Sequence, residues 1–83
     1  MIRRIEETLK GAGVEYMIDG EYINILNSSS ATRIHVYNYT SGTAGTFTAV
    51  EVQEFDGFGN QTYGKEFANI GKAFLNRVTR NIG

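Results

Sequence analysis

The sequence contains no cysteine, no proline and no tryptophan, and it has a single histidine, His35. The lack of cysteine excludes disulfide bonds, thiolate metal sites and a cysteine nucleophile. A lone histidine excludes two-histidine metal sites, and we expect neither a metal nor a cofactor. Without proline, the turns depend on glycine, asparagine, aspartate and serine.

Long apolar runs are also missing. No stretch approaches the ~20 residues that a membrane-spanning helix needs. The N-terminal segment MIRRIEETLK lacks the apolar core of a secretory signal. We therefore expect no membrane association and a cytoplasmic, intracellular location.

The chain has 83 residues, of which 41% are hydrophobic and 20% charged, and it predicts one small domain over residues 1–83. The formal net charge is −1, but the charge is uneven along the chain. Residues 57–83 hold four cations and one carboxylate, whereas residues 13–56 hold one cation, Arg33, and a candidate acidic patch. The acidic patch consists of Glu15, Asp19, Glu21, Glu51, Glu54 and Asp56. Such asymmetry indicates interaction surfaces.

The spacing of apolar residues predicts two helices. In the first, Ile2, Ile5 and Leu9 share one face, and Gly11 and Gly13 end the helix. The second is predicted from about Gly64 to Asn81, and its apolar positions are Phe67, Ile70, Phe74, Leu75, Val78 and Ile82. A row of small residues on it would let the helix approach the sheet closely, namely Gly64, Ala68 and Gly71.

The sequence between these helices predicts four strands. VEYMIDGEYINIL predicts a hairpin whose two-residue loop is Asp19-Gly20, which would pair Ile18 with Glu21 and Tyr16 with Ile23. TRIHVYNYT (32–40) and FTAVEVQEF (47–55) are the third and fourth strands, and DGFGNQTYG (56–64) is a long loop. The predicted fold is an α+β two-layer sandwich, α-β-β-β-β-α, with a four-stranded antiparallel sheet and both helices on one face.

Two helices cover only one face of a sheet of this width, so the other face is predicted to be open. Alternation assigns the apolar residues of the hairpin, with Ile34, Val36, Val50 and Val52, to the covered face. The candidate partner-binding residues on the open face are Met17, Tyr22, Arg33, His35, Tyr37 and Tyr39. Phe47, Glu51 and Gln53 share that face unless a bulge in residues 47–55 turns Phe47 or Phe55 inward.

No group of residues specifies a reaction, and we predict a protein that is not an enzyme and has no catalytic residue. A catalytic serine–histidine–acid arrangement remains an alternative, with His35 and one of Ser28, Ser29 or Ser30. However, a single histidine in a strand is typical of a surface residue. The loop TSGTAGT lacks the lysine and the following helix of a phosphate-binding loop. Asp56 with Asn60 is the one weak candidate for a cation site.

The predicted second helix carries a polar stripe that could contact phosphates, formed by Lys65, Lys72, Arg77 and Arg80. Its segment GKEFANIGKAFLNRV (64–78) resembles the second helix of double-stranded-RNA-binding domains, in which lysine and alanine alternate with apolar residues. FTAVEV (47–52) resembles one of their strands. The resemblance implies an α-β-β-β-α order and nucleic-acid binding. This chain departs from it by one more strand, and it offers only Lys65 where the family has a basic cluster.

We predict a small protein-binding module whose partner is a host or cellular protein, contacted through the sheet face or the acidic patch. In its size and its lack of catalytic groups the chain is similar to small phage or mobile-element proteins such as anti-CRISPR proteins, which inhibit by occupying a surface. One alternative is a nucleic-acid-binding module that uses the stripe and stacks bases on Tyr37 and Tyr39. Another is a structural homodimer joined through the open sheet face.

Overall fold

The computed structural model describes residues 2–42 and 45–82. Two helices and five strands follow one another along this part of the chain. In order they are α1 (Ile2–Gly11), β1 (Tyr16–Asp19), β2 (Tyr22–Ile25), β3 (Ala31–Ser41), β4 (Gly45–Phe55), β5 (Gln61–Phe67) and α2 (Lys72–Thr79).

The strands form one antiparallel sheet in which each strand lies beside the next one in sequence, from β1 to β5. β3 and β4, with 11 residues each, form its centre, and β1 and β5 are its edges. The predicted α+β class, with an antiparallel sheet and two helices, is confirmed. The predicted number of four strands is wrong, because the sheet has five.

The fifth strand occupies a segment that the sequence analysis divided between a loop and the second helix. Gln61–Phe67 pairs with β4, and α2 begins only after Gly71, which is its N-cap residue. Pairing with β5 satisfies backbone groups of β4 that an edge position would leave without partners. Gly64 therefore lies in a strand, and the proposed row of small residues on one helix does not exist.

No helix in the described ranges is long and apolar enough to cross a membrane.

The hairpin between β1 and β2 forms, but its turn is displaced by one residue from the predicted position. Asp19 pairs with Tyr22 and Ile18 with Ile23, so Gly20 and Glu21 form the loop. Gly20 has a φ of 60°, and no other residue type has a positive φ in the described part of the chain. Glycine at the first loop position is typical of a type II′ turn, which needs no positive φ at Asp19. Each residue's cross-strand partner moves by two positions, so the predicted faces are unchanged.

The side-chain parity of β4 is regular. β4 pairs with β3 without interruption from Phe55 opposite Ala31 to Gly45 opposite Ser41. The register shift at Glu54/Phe55 affects only the pairing with β5. Val50 and Val52 are buried, as predicted, and Phe55 faces the open side with Gln53. The side chains of Tyr39 and Phe47 lie outside the described residues.

Both helices pack on the same face of the sheet. Ile5 and Leu9 of α1, and Phe74 and Val78 of α2, belong to one buried cluster with the inward-facing residues of the strands. The strand members of that cluster are Ile23, Ile25, Ile34, Val36, Val50 and Val52. Full burial of a side chain such as Phe74 contributes about 2–3 kcal/mol to folding. This packing covers one face and leaves the other free of helices.

Candidate functional site on the open sheet face

The open face consists of the alternate strand residues that point away from the helices. On β2 and β3 these include Tyr22, Arg33, His35 and Tyr37, all half-buried although no helix covers them. Among the predicted face residues whose side chains are described, Met17 is the most exposed, at 56%, and it lies on the edge strand. The others contact one another and neighbouring side chains of β4 and β5 on the same face.

Three of these rings form a stacked column. Tyr22 and His35 are direct cross-strand neighbours with ring centroids 4.5 Å apart, and His35 and Tyr37, two residues apart on β3, are also 4.5 Å apart. The interplanar angles are 17° and 27°. Aromatic cross-strand pairs stabilise a sheet, and stacking restricts the rotamers of every ring in the column. The aromatic surface is therefore ordered before any partner arrives.

Arg33 extends the column in the direction of Phe55. Its guanidinium carbon lies 4.2 Å from the centroid of the Tyr22 ring and 4.8 Å from that of Phe55. Its Nε donates a hydrogen bond to Gln53 Oε1 at 2.6 Å, and Gln53 is only 8% exposed. A guanidinium held between two rings is a cation–π arrangement, which shows how these aromatic side chains accommodate an arginine.

Carboxylates surround the column. Glu51 on β4 and Glu66 on β5 are direct cross-strand neighbours on this face. Glu66 accepts a hydrogen bond from the Tyr37 hydroxyl at 2.9 Å, and Glu51 accepts one from the Gln53 amide. Both donors are neutral groups, so neither hydrogen bond brings a positive charge to these carboxylates. Two like charges directly opposite each other in a sheet cost stability.

The turn between β1 and β2 adds to this acidity. Asp19 shares the open face by its pairing with Tyr22, and Glu21 Oε2 lies 3.5 Å from His35 Nε2. Four carboxylates therefore belong to the open face, against one guanidinium. We name the set of Asp19, Glu21, Glu51, Glu66, Tyr22, Arg33, His35 and Tyr37 the acidic aromatic face.

The structure does not bring the six residues of the predicted acidic patch together. Glu54 points to the helix-covered side, is 7% exposed, and lies 2.6 Å from Nη2 of Arg77. Glu15 precedes β1, and Asp56 lies in the turn after β4. Only Asp19, Glu21 and Glu51 belong to the acidic aromatic face. Alternation along β4 explains the separation of Glu54 from Glu51.

Asp56 has a local structural role in the turn between β4 and β5. Its Oδ1 accepts hydrogen bonds from the backbone N–H of Phe58 at 2.8 Å and of Asn60 at 2.9 Å. The backbone hydrogen bonds from Asn60 and Phe58 lower the pKa of the Asp56 carboxyl. The Asn60 side-chain amide donates to the second carboxylate oxygen, so the two residues contact each other in this turn. The ordered turn presents Phe58, which is 92% exposed.

The predicted phosphate-contacting stripe is divided between a strand and a helix. Lys65 is on β5, whereas Lys72, Arg77 and Arg80 belong to α2 and its C-cap. Arg77 is 18% exposed and is engaged by Glu54. Tyr37 lies on the opposite side of the sheet from α2, so the stripe and this predicted stacking ring do not share a surface.

The candidate serine–histidine arrangement is also divided. Ser28 Oγ lies 3.3 Å from the hydroxyl of Thr32, whose side chain is buried on the helix-covered side, whereas His35 is on the open side. In the described part of the chain, no three histidine, aspartate or glutamate side chains form a group that could hold a metal ion.

Two features were not predicted from the sequence, namely the position of Glu66 on the open face and the ordered turn that presents Phe58. The apolar residues after Gly64 fit a helical period and so predict a helix at Glu66. The alternation of Tyr63, Lys65 and Phe67 is the competing signal for a strand. The glycines of residues 56–64 predict a long loop, which includes the exposed ring of Phe58. The turn sequence DGFGN, with aspartate before two glycines, was the signal that this loop is ordered.

Comparisons with known proteins identify no relative. No family model matches the chain, no curated protein matches it, and no solved structure matches it. The function is therefore argued from the geometry and charge of the surfaces.

Proposed function

We propose that this protein is a non-enzymatic binding module that acts in the cytoplasm and places its acidic aromatic face on a basic surface of a host or cellular protein. The observation that carries the proposal is the pair of Glu51 and Glu66, held directly opposite each other beside a column of stacked rings. A partner that places a cation between Glu51 and Glu66 would offset the repulsion between these two carboxylates.

The composition of the face favours recognition of arginine in particular. Tyrosine and arginine are enriched among the residues that dominate binding energy at protein interfaces. Arg33, between Tyr22 and Phe55, provides an internal example of guanidinium on these rings. Because the stacked side chains are already ordered, binding loses little rotamer entropy.

The biological effect we propose is inhibition by occupancy. Basic protein surfaces commonly serve to bind nucleic-acid phosphates. An acidic face of this kind would compete for such a surface, which is the mode of action of an anti-CRISPR-like inhibitor. Two copies of the face carry the same charge and repel each other, so charge favours a different partner over a homodimer.

The test uses an oligoarginine peptide as the probe and NMR spectroscopy of the labelled protein. We expect the peptide to shift the His35 ring and Gln53 side-chain amide signals, which report on the open face. Replacing Glu51→Gln and Glu66→Gln should weaken binding about tenfold at low salt, as expected for losing two exposed charge pairs. The same double variant should unfold at a higher temperature than the parent, because it removes a like-charge pair.

The matched control is Glu6→Gln with Glu7→Gln, which removes the same charge from α1 on the other side of the molecule. It should leave peptide affinity within about twofold of the parent, because both carboxylates belong to α1 on the helix side and cannot contact a peptide on the acidic aromatic face. Equal weakening by both double variants, or shifts confined to α1, would overturn the proposal. If an oligolysine peptide binds as tightly as oligoarginine, stacking of guanidinium groups on the aromatic rings does not contribute to binding.

A further inference from the structure

The helix-covered side carries grooves of the opposite charge. One, of about 320 Å³, lies between β5 and α2 and is lined by Lys65, Phe67, Asn76 and Arg80, among others. A second, of about 520 Å³, lies between the loop after β2 and the C-terminal end of α2, and it also includes Arg80. The described residues that line the two grooves include no carboxylate. Because Arg80 lines both, the two grooves are adjacent at the C-terminal end of α2, and together they are called the path below.

Two cations line this path, Lys65 and Arg80, and a third, Lys72, lies beside it on α2. Lys65, Lys72 and Arg80 are exposed, and none forms an ion pair within the described part of the chain. Lys72, Asn76 and Arg80 follow one another at four-residue intervals on α2, which places them about 6 Å apart along the helix axis. Arg77 is not counted, because Glu54 neutralises it.

Aromatic and amide groups accompany the cations. Lys65 Nζ lies 5.3 Å from the centroid of the Phe67 ring, which is half-buried against Phe74 and retains an accessible part. Asn76 in the first groove adds an amide that can both donate and accept hydrogen bonds. The Asn27 amide in the second groove already accepts from the Glu15 backbone N–H and donates to the Gly13 carbonyl. Aromatic rings and cations along a groove are the combination that single-stranded nucleic acids bind.

We infer that this path is a second binding site, for a short segment of single-stranded nucleic acid. Lys65, Lys72 and Arg80 contact phosphates, and Phe67 with the Asn76 amide meets the unpaired bases. A duplex is less suited, because its bases are stacked inside and unavailable to Phe67. An acidic peptide would use the cations, and its backbone could bond to the Asn76 amide, but an oligoglutamate has no flat ring to stack on Phe67.

The test measures the binding of a fluorescein-labelled oligothymidylate by fluorescence anisotropy at ~50 and ~200 mM salt. Three phosphate contacts on a single strand predict an affinity about 20-fold weaker at the higher salt. In the variant Lys65→Gln with Arg80→Gln, one contact remains, so the loss across the same salt range should fall to about threefold. Both side chains are exposed, and circular dichroism would check that the fold is retained.

The control variant Arg3→Gln with Lys10→Gln removes the same charge from α1 and should keep the 20-fold salt effect. The inference is overturned if the oligonucleotide does not bind at the lower salt, or if the two double variants behave alike. It is also overturned if a duplex, or an oligoglutamate peptide, binds more tightly than the single strand. The site is separate from the acidic aromatic face, so neither proposal depends on the other.

Discussion

At the scale of single residues, the hydrogen bonds of Asp56 make the stability of the fold depend on pH. Its carboxylate accepts two backbone hydrogen bonds, which lower its pKa in the folded protein. A lowered folded-state pKa means that the ionised group stabilises the fold above the unfolded-state pKa, which is about 3.9. This contribution is lost as the pH falls through the folded-state pKa.

We predict that Asp56→Asn lowers the melting temperature at neutral pH and that the difference from the parent shrinks as the solution is acidified below about pH 4. Asparagine can still accept one of the backbone hydrogen bonds. The part of the melting-temperature difference that changes with pH therefore reports the contribution of the carboxylate charge. Thermal unfolding followed by circular dichroism over this pH range would measure it. A constant difference between variant and parent at every pH would contradict the role assigned to the carboxylate.

At the scale of elements, the pair of Glu54 and Arg77 joins β4 to α2 inside the molecule. Arg77 Nη2 lies 2.6 Å from Glu54 Oε2, and the guanidinium carbon lies 3.6 Å from the centroid of the Tyr63 ring on β5. The contact is an ion pair without the alignment of a hydrogen bond, and Arg77 Nε has no acceptor within the described residues. Asn81 donates to the other Glu54 oxygen at 3.3 Å. The pair therefore orients α2 against β4. Its hydrogen bonds only partly offset the free-energy cost of removing the two charges from water.

Removing one member of this pair should be more harmful than removing both. Glu54→Gln leaves the mostly buried Arg77 without a counter-charge, and we expect a loss of about 2–3 kcal/mol, below the value for fully buried pairs because 18% of Arg77 is exposed. Glu54→Leu combined with Arg77→Met should recover most of that loss. Urea denaturation would measure all three proteins. A double variant less stable than Glu54→Gln would show that the ion pair itself stabilises the fold.

At the scale of the whole molecule, the two sides of the sheet have opposite charge, although the net charge is only −1. The acidic aromatic face lies on one side, and Lys65, Lys72 and Arg80 lie on the helix side. The two edges of the sheet are poorly suited to strand addition. β1 has only four residues, and β5 carries a lysine and the register shift near Gln61. Short edges, charges and irregular pairing all oppose edge-to-edge association.

We therefore predict a monomer of 9.2 kDa in sedimentation equilibrium at low salt, where repulsion between acidic faces is strongest. Replacing Glu51→Gln and Glu66→Gln reduces this repulsion and should raise any tendency to self-associate. A stable dimer of the parent at low salt, lost in a variant with Tyr22→Ala and Tyr37→Ala, would instead support the structural homodimer.

The alternation and turn residues of the first four strands were sufficient to predict the open face. Residues two apart in a strand share a face whatever the register, and the observed hairpin differs from the predicted one by an even number of positions. For this reason Tyr22, Arg33, His35 and Tyr37 were placed correctly although the turn was not. The class of the fold followed from the same local patterns.

The sequence by itself thus determined that one helix precedes the strands and another follows them. It also determined the alternation of β1 to β4 and an aromatic surface that no helix covers. Tertiary structure decided between helix and strand for residues 61–67, because the helical spacing of Phe67, Ile70 and Phe74 competes with the strand alternation of Tyr63, Lys65 and Phe67. Pairing to the free edge of β4 favours the strand. That pairing placed Glu66 opposite Glu51 and separated Lys65 from α2. Charges distant in sequence become neighbours only through such long-range pairing, and local patterns contain no information about it.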